Sequence, residues 1–274
     1  MKKVLSFILF VAMVFATCSA LAEGVTGFAS APGFSAHGDV AFASATLDAE
    51  DKLVALDINE YYGIRSVGRI INNITKATDE ELAKLEAIPE DDKVLSEDGK
   101  YAAWKYLKID NRLFECQDAG KNLYVEIGEN AEITDLQAYL LENTDWWCNA
   151  MATAAETGAV LKTAAEGDTV ACEVNGVKLA VYGPLTSFYG ALTKMEGYSK
   201  NFSPAGTTTA WAESVQLLDS YILAQGGVSE EMLASAQAED KKAFLDAVSG
   251  ATFGSPEIYV NVAKLAIENA KSGK

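Results

Sequence analysis

The sequence predicts an α+β fold with a mainly antiparallel sheet and helices packed against it. Apolar and polar residues alternate over residues 38–47, 53–59 and 169–182, which is typical of strands. Apolar residues recur every three or four positions over residues 207–225 and 256–271, which is typical of amphipathic helices. Because short turns separate the strand segments, we expect them to pair as hairpins.

The hairpins are predicted from the turns between alternating runs. Residues 48–52 form a charged turn between the first two strands. Asn175-Gly176 separates a later pair of runs, and this dipeptide favours a two-residue hairpin turn. Residues 101–127 are rich in aromatic and aliphatic side chains and are expected to form further strands. Residues 23–35, rich in Gly, Ala and Ser, are predicted to be a flexible lead-in.

The helices are predicted from apolar periodicity and from signals at their ends. Thr78 and Glu81 have the spacing of a capping box. Gly226 follows the last periodic residue of a longer helix, while Ser255 and Pro256 suit the N-cap and first position of the last helix. The predicted helices cover residues 78–88, 134–141, 145–157, 207–225, 229–236 and 256–271.

Residues 1–22 have the pattern of a secretory signal peptide. A basic start at Lys2-Lys3 precedes an apolar run, and Ala-Leu-Ala at residues 20–22 offers a cleavage site before Glu23. Acylation of Cys18 is the alternative, and it would make the protein a lipoprotein. Both interpretations predict an extracytoplasmic location. No later stretch reaches the roughly 20 apolar residues of a membrane span.

The charge of the chain argues against nucleic acid as a partner. The 274 residues include 39 acidic and 22 basic side chains, which gives a formal net charge of −17. Binding to nucleic acid requires Lys and Arg to neutralise phosphates, so we expect no nucleic-acid partner. The acidity is interpreted as an aid to solubility in an exposed compartment.

Histidine and cysteine are too sparse for most metal and nucleophile sites. His37 is the single histidine, which excludes His-ligated metal clusters and a Ser-His-Asp triad. It lies in a polar segment and is expected to be solvated; no catalytic or metal-binding residue is predicted. Cys116, Cys148 and Cys172 follow the leader. Any one pair of them forms a disulfide, or all three are buried thiols.

The most informative stretch precedes the last predicted helix. Gly250 lets the backbone bend sharply beside a bulky anion, and Ala251 is nearly as small. Thr252 stands just ahead of a helix start, where unpaired N–H groups and the helix dipole favour a phosphate. The stretch reads Asp246-Ala247-Val248-Ser249-Gly250-Ala251-Thr252-Phe253-Gly254-Ser255.

The pattern Asp-x-x-Ser-Gly-Ala-Thr resembles the flavinylation motif of the FMN-binding domain family. This family includes subunits of sodium-pumping quinone reductases, related membrane electron-transfer complexes and bacterial surface flavoproteins. Its last Thr carries FMN through a phosphoester that a flavin transferase makes from FAD. The family commonly continues with Thr-Ser, of which only the Ser is retained here. The resemblance implies FMN on Thr252, with a site completed by Asp246, Ser249, Gly250, Ala251 and Ser255.

The resemblance implies an extracytoplasmic flavoprotein that transfers electrons in a respiratory or extracellular chain. It is either an electron-transfer protein or the flavin subunit of an extracytoplasmic reductase. The expected partners are a flavin transferase, for maturation, and a membrane or surface electron-transfer protein. The alternative is a secreted binding or surface-interaction protein in which the motif is a turn that caps a helix.

The domain prediction joins distant parts of the chain. The first hairpin and Thr252 are nearly the whole chain apart, so we expect an FMN-binding core over residues 36–64 and 165–274 with residues 65–164 as a long insertion. An isoalloxazine ring requires aromatic or aliphatic walls. Residues 182–189 and 206–211 are candidates for such a wall, although core packing is the simpler explanation for any single aromatic residue in them.

Overall fold

The computed structural model describes residues 24–34, 37–157, 170–183, 186–203, 209–248, 251 and 254–273, with the side chains of residues 170–172 left aside. The predicted signal peptide, including Cys18, lies outside these residues. The fold is α+β with several small antiparallel sheets, which confirms the predicted class. Among the described helices, none combines the length and apolar character needed to cross a membrane.

Strands and helices alternate irregularly along the described chain. The strands are β1 Val25–Pro32, β2 Val40–Leu47, β3 Leu53–Tyr61, β4 Arg69–Ile71, β5 Lys93–Leu95, β6 Ala102–Trp104, β7 Tyr106–Ile109, β8 Arg112–Asp118, β9 Leu123–Ile127, β10 Val170–Val174 and β11 Val177–Val181. The helices are α1 Ile64–Val67, α2 Asp79–Ala87, α3 Leu136–Glu142, α4 Thr144–Glu156, α5 Trp211–Gln225, α6 Glu230–Gln237, α7 Lys242–Ala247 and α8 Pro256–Ser272.

The sheet β1-β2-β3 carries the C-terminal helices on one face. Helix α8 packs across β1 and β2, and α5 packs against β3. Small buried side chains at Ala41, Ala43 and Ala45 allow the α8 backbone to approach the sheet closely. The residues of α5 and α8 that face the sheet form one apolar core with it: Val215, Leu218, Ile222, Tyr259, Val260, Ala263, Ala266 and Ile267.

The prediction of a flexible lead-in over residues 23–35 is wrong for residues 25–32, because these residues form β1. This strand pairs antiparallel with β2 along its full length. Gly27 lies directly under α8, where an added Cβ would stand 2.1 Å from the backbone nitrogen of Ala270. The small residues that suggested flexibility therefore allow α8 to pack closely on β1.

A second apolar core lies around the other sheets. Sheets β4-β6-β5 and β7-β8-β9 enclose it together with α1, α3 and α4. Trp147 is fully buried there and donates its indole N–H to the carbonyl oxygen of Tyr62 at 3.3 Å. The division into a discontinuous core and an insertion over residues 65–164 stays a prediction.

Most predicted elements are present within a few residues. The capping box of Thr78 and Glu81 opens α2. Asn175 and Gly176 both have positive φ, of 51° and 77°, as a tight two-residue turn requires. Gly226 ends α5 in the left-handed conformation. Helices α1 and α7 and strands β4 and β5 were not predicted, because such short elements depend on tertiary packing rather than on their own periodicity.

Two carboxylates face each other between α5 and β3. Burial raises the pKa of Asp219 to about 8, and the nearby charge of Asp57 adds to this effect. Desolvation by neighbouring groups also raises the pKa of Asp57, although this residue keeps an exposed surface on β3. One carboxylate oxygen of Asp219 is buried without a hydrogen-bond partner among the described residues. Asp219 therefore holds a proton in the folded chain at pH values where it is ionised in the unfolded chain.

We expect stability to fall as the pH rises from about 4 to 8. In this window the folded chain binds one proton more than the unfolded chain, so unfolding becomes easier by at most about 1.4 kcal/mol per pH unit. Partial solvent access to Asp219 makes the slope smaller than this limit. Thermal unfolding between pH 5 and 8 tests this, with Asp219→Asn expected to flatten the dependence. Glu213→Gln, an exposed change on the same helix, should leave it intact; an unchanged slope in Asp219→Asn would contradict the assignment.

Candidate functional site

The motif run spans the end of α7 and the start of α8. Asp246 lies in the last turn of α7 and is exposed. Ala251 is buried, with 1% of its surface exposed, in the core beneath α8. Ser249, Gly250 and Thr252 lie outside the described residues. The described part of the motif thus begins at the C-terminus of α7, includes the buried Ala251, and ends at the N-terminus of the 17-residue helix α8.

Lys241, at the N-terminal end of α7, contacts the start of α8. Its ammonium donates to the carbonyl oxygen of Gly254 at 3.3 Å and to a carboxylate oxygen of Glu257 at 2.7 Å. Lys241 precedes α7, and Glu257 lies in the first turn of α8. Ser255 occupies the predicted N-cap position, but its hydroxyl makes no capping hydrogen bond. Lys241 therefore ties the start of α8 to the start of α7, while the expected side-chain cap from Ser255 is not formed.

Phe34 lies against the C-terminal end of the motif. A Cβ added at Gly254 would stand 3.3 Å from the Phe34 ring, so the ring lies beside this glycine. Phe34 is 59% exposed. The backbone N–H of Phe34 donates to Glu60 at 3.2 Å. This places an exposed aromatic ring beside the motif, from a segment that the sequence analysis assigned to the lead-in.

A buried polar network lies beneath the first turn of α8. Lys194 forms ion pairs with Glu60 at 2.9 Å and with Asp39 at 3.0 Å. The Tyr259 hydroxyl donates to Glu60 at 2.8 Å, and the Trp211 indole N–H donates to the Tyr259 oxygen at 3.1 Å. Asp39 also accepts from the backbone N–H of Gly63 at 2.6 Å. We call Asp39, Glu60, Lys194, Tyr259 and Trp211 the Glu60 network.

The Glu60 network has two carboxylates for one ammonium. Burial lowers the pKa of Lys194, but the charges of Glu60 and Asp39 outweigh burial, so its pKa is raised and it stays protonated. Burial raises the pKa of Glu60, and the charge of Asp39 adds to this. Burial and the charge of Glu60 raise the pKa of Tyr259 well above its usual value, which keeps it a neutral donor. The network therefore fixes the start of α8 relative to β3.

Sequence reasoning missed this network, although one signal was present. Leu56, Ile58 and Glu60 alternate on the inward face of β3, and Glu60 is fully buried. A charged residue in register with apolar core residues must find a partner, because an unpaired buried charge costs several kcal/mol. The identity of the partner, Lys194, depends on the tertiary fold.

A cavity of about 650 Å³ borders the motif on the α7 side. It lies among α5, α6, α7 and α8, and this volume is within the range of small-molecule sites. Ala247, which belongs to the motif run, lines it beside Phe244. Its other walls combine apolar residues with charged ones, among them Tyr221, Met232, Ile267, Glu230 and Lys264.

The predicted aromatic walls divide between core and surface. Tyr182 stacks on Trp104 with ring centroids 3.8 Å apart and is buried. Phe188 and Tyr189 instead line a separate cavity of about 290 Å³. Trp211 belongs to the Glu60 network. The remaining members of these two segments at positions 184–185 and 206–208 lie outside the described residues.

Cys116 and Cys148 are free, buried thiols. Burial raises the pKa of Cys116 to about 11 and that of Cys148 to about 12, so both remain protonated and unreactive at neutral pH. The side chain of Cys172 lies outside the described residues. The sequence left open a disulfide or buried thiols, and for Cys116 and Cys148 the buried thiols are correct.

We expect replacement of all three cysteines by alanine to leave flavin loading unchanged. The described thiols lie in the core around β8 and α4, and no cysteine spacing in the chain suits a metal or redox motif. Some loss of stability is expected from removing buried sulfur atoms. Intact-mass analysis after co-expression with a flavin transferase tests the prediction. Loss of covalent flavin in a variant with a native circular dichroism spectrum would contradict it.

His37 differs from the prediction of a solvated side chain. It is half-buried and lines the 290 Å³ cavity. Burial lowers its pKa, and the charge of Arg65 lowers it further. Within the described ranges, no cluster of three or more His, Cys, Asp or Glu side chains is placed to hold a metal ion.

Comparison with known proteins finds no matching family model, curated protein or solved structure.

Proposed function

We propose that this chain is an extracytoplasmic flavoprotein that carries FMN on Thr252 and transfers electrons between partner proteins. The observation that carries the proposal is the motif Asp-x-x-Ser-Gly-Ala-Thr, which ends shortly before the N-terminus of α8. The signal-peptide pattern over residues 1–22 supports the location. Bound flavin supplies the redox chemistry, while the protein determines where the flavin is held and what surrounds it.

The surroundings of the motif suit a phosphate that carries a flat ring. The unpaired N–H groups and dipole at the start of α8 favour negative charge. The Lys241 ammonium donates to the carbonyl oxygen of Gly254 and also forms an ion pair with Glu257, so a phosphate here would share this ammonium with the Glu257 carboxylate. The exposed Phe34 ring near Gly254 offers apolar surface to an isoalloxazine ring, and the 650 Å³ cavity beside Ala247 has room for one between apolar and charged side chains.

Attachment requires a hydroxyl nucleophile and a donor of FMN. By the family resemblance, a transferase places the Thr252 oxygen on the FMN phosphorus of FAD, the pyrophosphate bond breaks and AMP leaves. The proton of the hydroxyl is lost in the same exchange. Asp246 is exposed at the end of α7, which makes it accessible to a transferase that recognises the motif.

Mass spectrometry tests the proposal against the flavin-free alternative. After co-expression with a flavin transferase, the tryptic peptide of residues 243–264 should gain the mass of FMN less one water, and the denatured protein should retain flavin fluorescence. Protein made without the transferase is the control. An unmodified peptide, under conditions that load a known flavoprotein, would favour a secreted binding protein in which the motif caps α8.

A further inference from the structure

A cavity of about 290 Å³ separate from the motif collects positive charge in an acidic protein. Arg65 and Arg69, which are two of the three arginines in the chain, line it together with His37. None of the residues that line it is acidic. Since acidic residues outnumber basic ones in this chain, such a grouping is a specific feature rather than a consequence of composition.

Arg69 is held in place by neutral groups. Its guanidinium donates to the carbonyl oxygens of Ala119 at 2.6 Å and Gly120 at 3.5 Å, and it lies 4.5 Å from the centre of the Tyr101 ring. The residue is 3% exposed, and its Nε has no hydrogen-bond partner among the described residues. These contacts fix the guanidinium but leave its charge without a carboxylate to balance it.

The third arginine provides the contrast. Arg112 forms two hydrogen bonds with the Glu126 carboxylate, at 3.0 and 3.1 Å. Within the described ranges, neither Arg65 nor Arg69 has such an ion pair. Asp39, whose charge acts on His37, is already engaged by Lys194 and by Gly63. An external anion would therefore supply the missing countercharge.

Aromatic rings form one further part of the cavity wall, which also includes Ser66, Asn72 and Asn73. Phe188 and Tyr189 lie edge to face with centroids 5.2 Å apart, and Tyr189 stacks on the buried Tyr62 at 5.0 Å. The Phe188 backbone N–H donates to the Ser66 carbonyl oxygen at 2.6 Å, which ties this segment to α1, the helix that carries Arg65. The rings and the Arg69 guanidinium are thus held around one opening by separate elements of the fold, and Arg65 lines the same opening from α1.

We propose that this cavity binds a small aromatic oxyanion, with Arg65 and Arg69 at the anionic group and Tyr101, Phe188 and Tyr189 around the ring. Guanidinium groups match carboxylate and phosphate oxygens in geometry, and both groups share the required charge. The volume admits a single small ring rather than a dinucleotide. The site does not depend on flavin attachment at Thr252.

Calorimetric titration of the full chain at low ionic strength tests the site with benzoate and phenyl phosphate as probes. We expect at least one of them to bind with a Kd at or below about 1 mM. Benzyl alcohol, which has the ring without the charge, should show no binding. Affinity for inorganic phosphate equal to that for phenyl phosphate would overturn the aromatic part of the proposal.

Variants distinguish this cavity from other basic surfaces. Arg65→Gln changes a half-buried side chain and should weaken binding of the better probe at least tenfold. Arg69→Gln should do the same if it remains folded. Arg112→Gln is the matched control and should bind as the unmodified protein does. The proposal would be overturned if neither probe binds, or if folded Arg65→Gln binds the better probe with unchanged affinity. Both outcomes can be read whether or not Thr252 carries flavin.

Discussion

Replacing Thr252 with alanine is expected to abolish covalent flavin completely. The proposed phosphoester needs the threonine oxygen, and alanine has no nucleophile to offer. The variant should remain folded, because the described contacts that hold the flanks of the motif come from other residues, notably Lys241 and the buried Ala251. Intact mass and flavin fluorescence of the denatured protein give the result directly.

Companion variants separate the attachment oxygen from recognition by the transferase. Thr252→Ser keeps a hydroxyl and should retain part of the loading. Asp246→Ala should impair loading without unfolding, since Asp246 is exposed and belongs to the motif that we propose the transferase recognises. Thr153→Ala, an exposed change on α4, is the matched control and should load normally. Full loading of Thr252→Ala would contradict attachment at this residue.

Replacing Lys194 with methionine is expected to destabilise the fold by about 3–5 kcal/mol. The change leaves Asp39 and Glu60 buried at 4% and 0% exposure without the ammonium that both contact. Denaturant unfolding at neutral pH measures the effect. The loss should be larger at pH 8 than at pH 5, because the unpaired carboxylates take up protons in acid and so lose their charge.

Two further variants test whether charge is the cause. Lys200→Met changes an exposed lysine nearby in the chain and should have little effect. Glu60→Gln combined with Lys194→Met should recover part of the lost stability, because only one buried carboxylate then remains. A loss in Lys194→Met no greater than that in Lys200→Met would show that the Glu60 network contributes nothing to the fold.

The secondary structure was predictable wherever local patterns are strong. The charged turn at residues 48–52, the Asn175-Gly176 turn and the capping box at Thr78 act over a few residues, so their signals are complete in the sequence. Strand β1 was missed for the opposite reason. Its small residues have little strand propensity, and they become favourable only because α8 lies against them.

The sequence by itself determined the α+β class, most helix and strand positions, and the motif that points to Thr252. These features depend on periodicity, turn chemistry and residue order, which are local properties. The tertiary structure alone decided that Phe34 lies beside Gly254, that Lys194 pairs with Glu60, and that Arg65 and Arg69 share a cavity with aromatic rings. Such pairings join residues far apart in the chain. A buried charge needs a partner and an apolar surface needs a neighbour, but which residue fills that place depends on what the fold brings next to it.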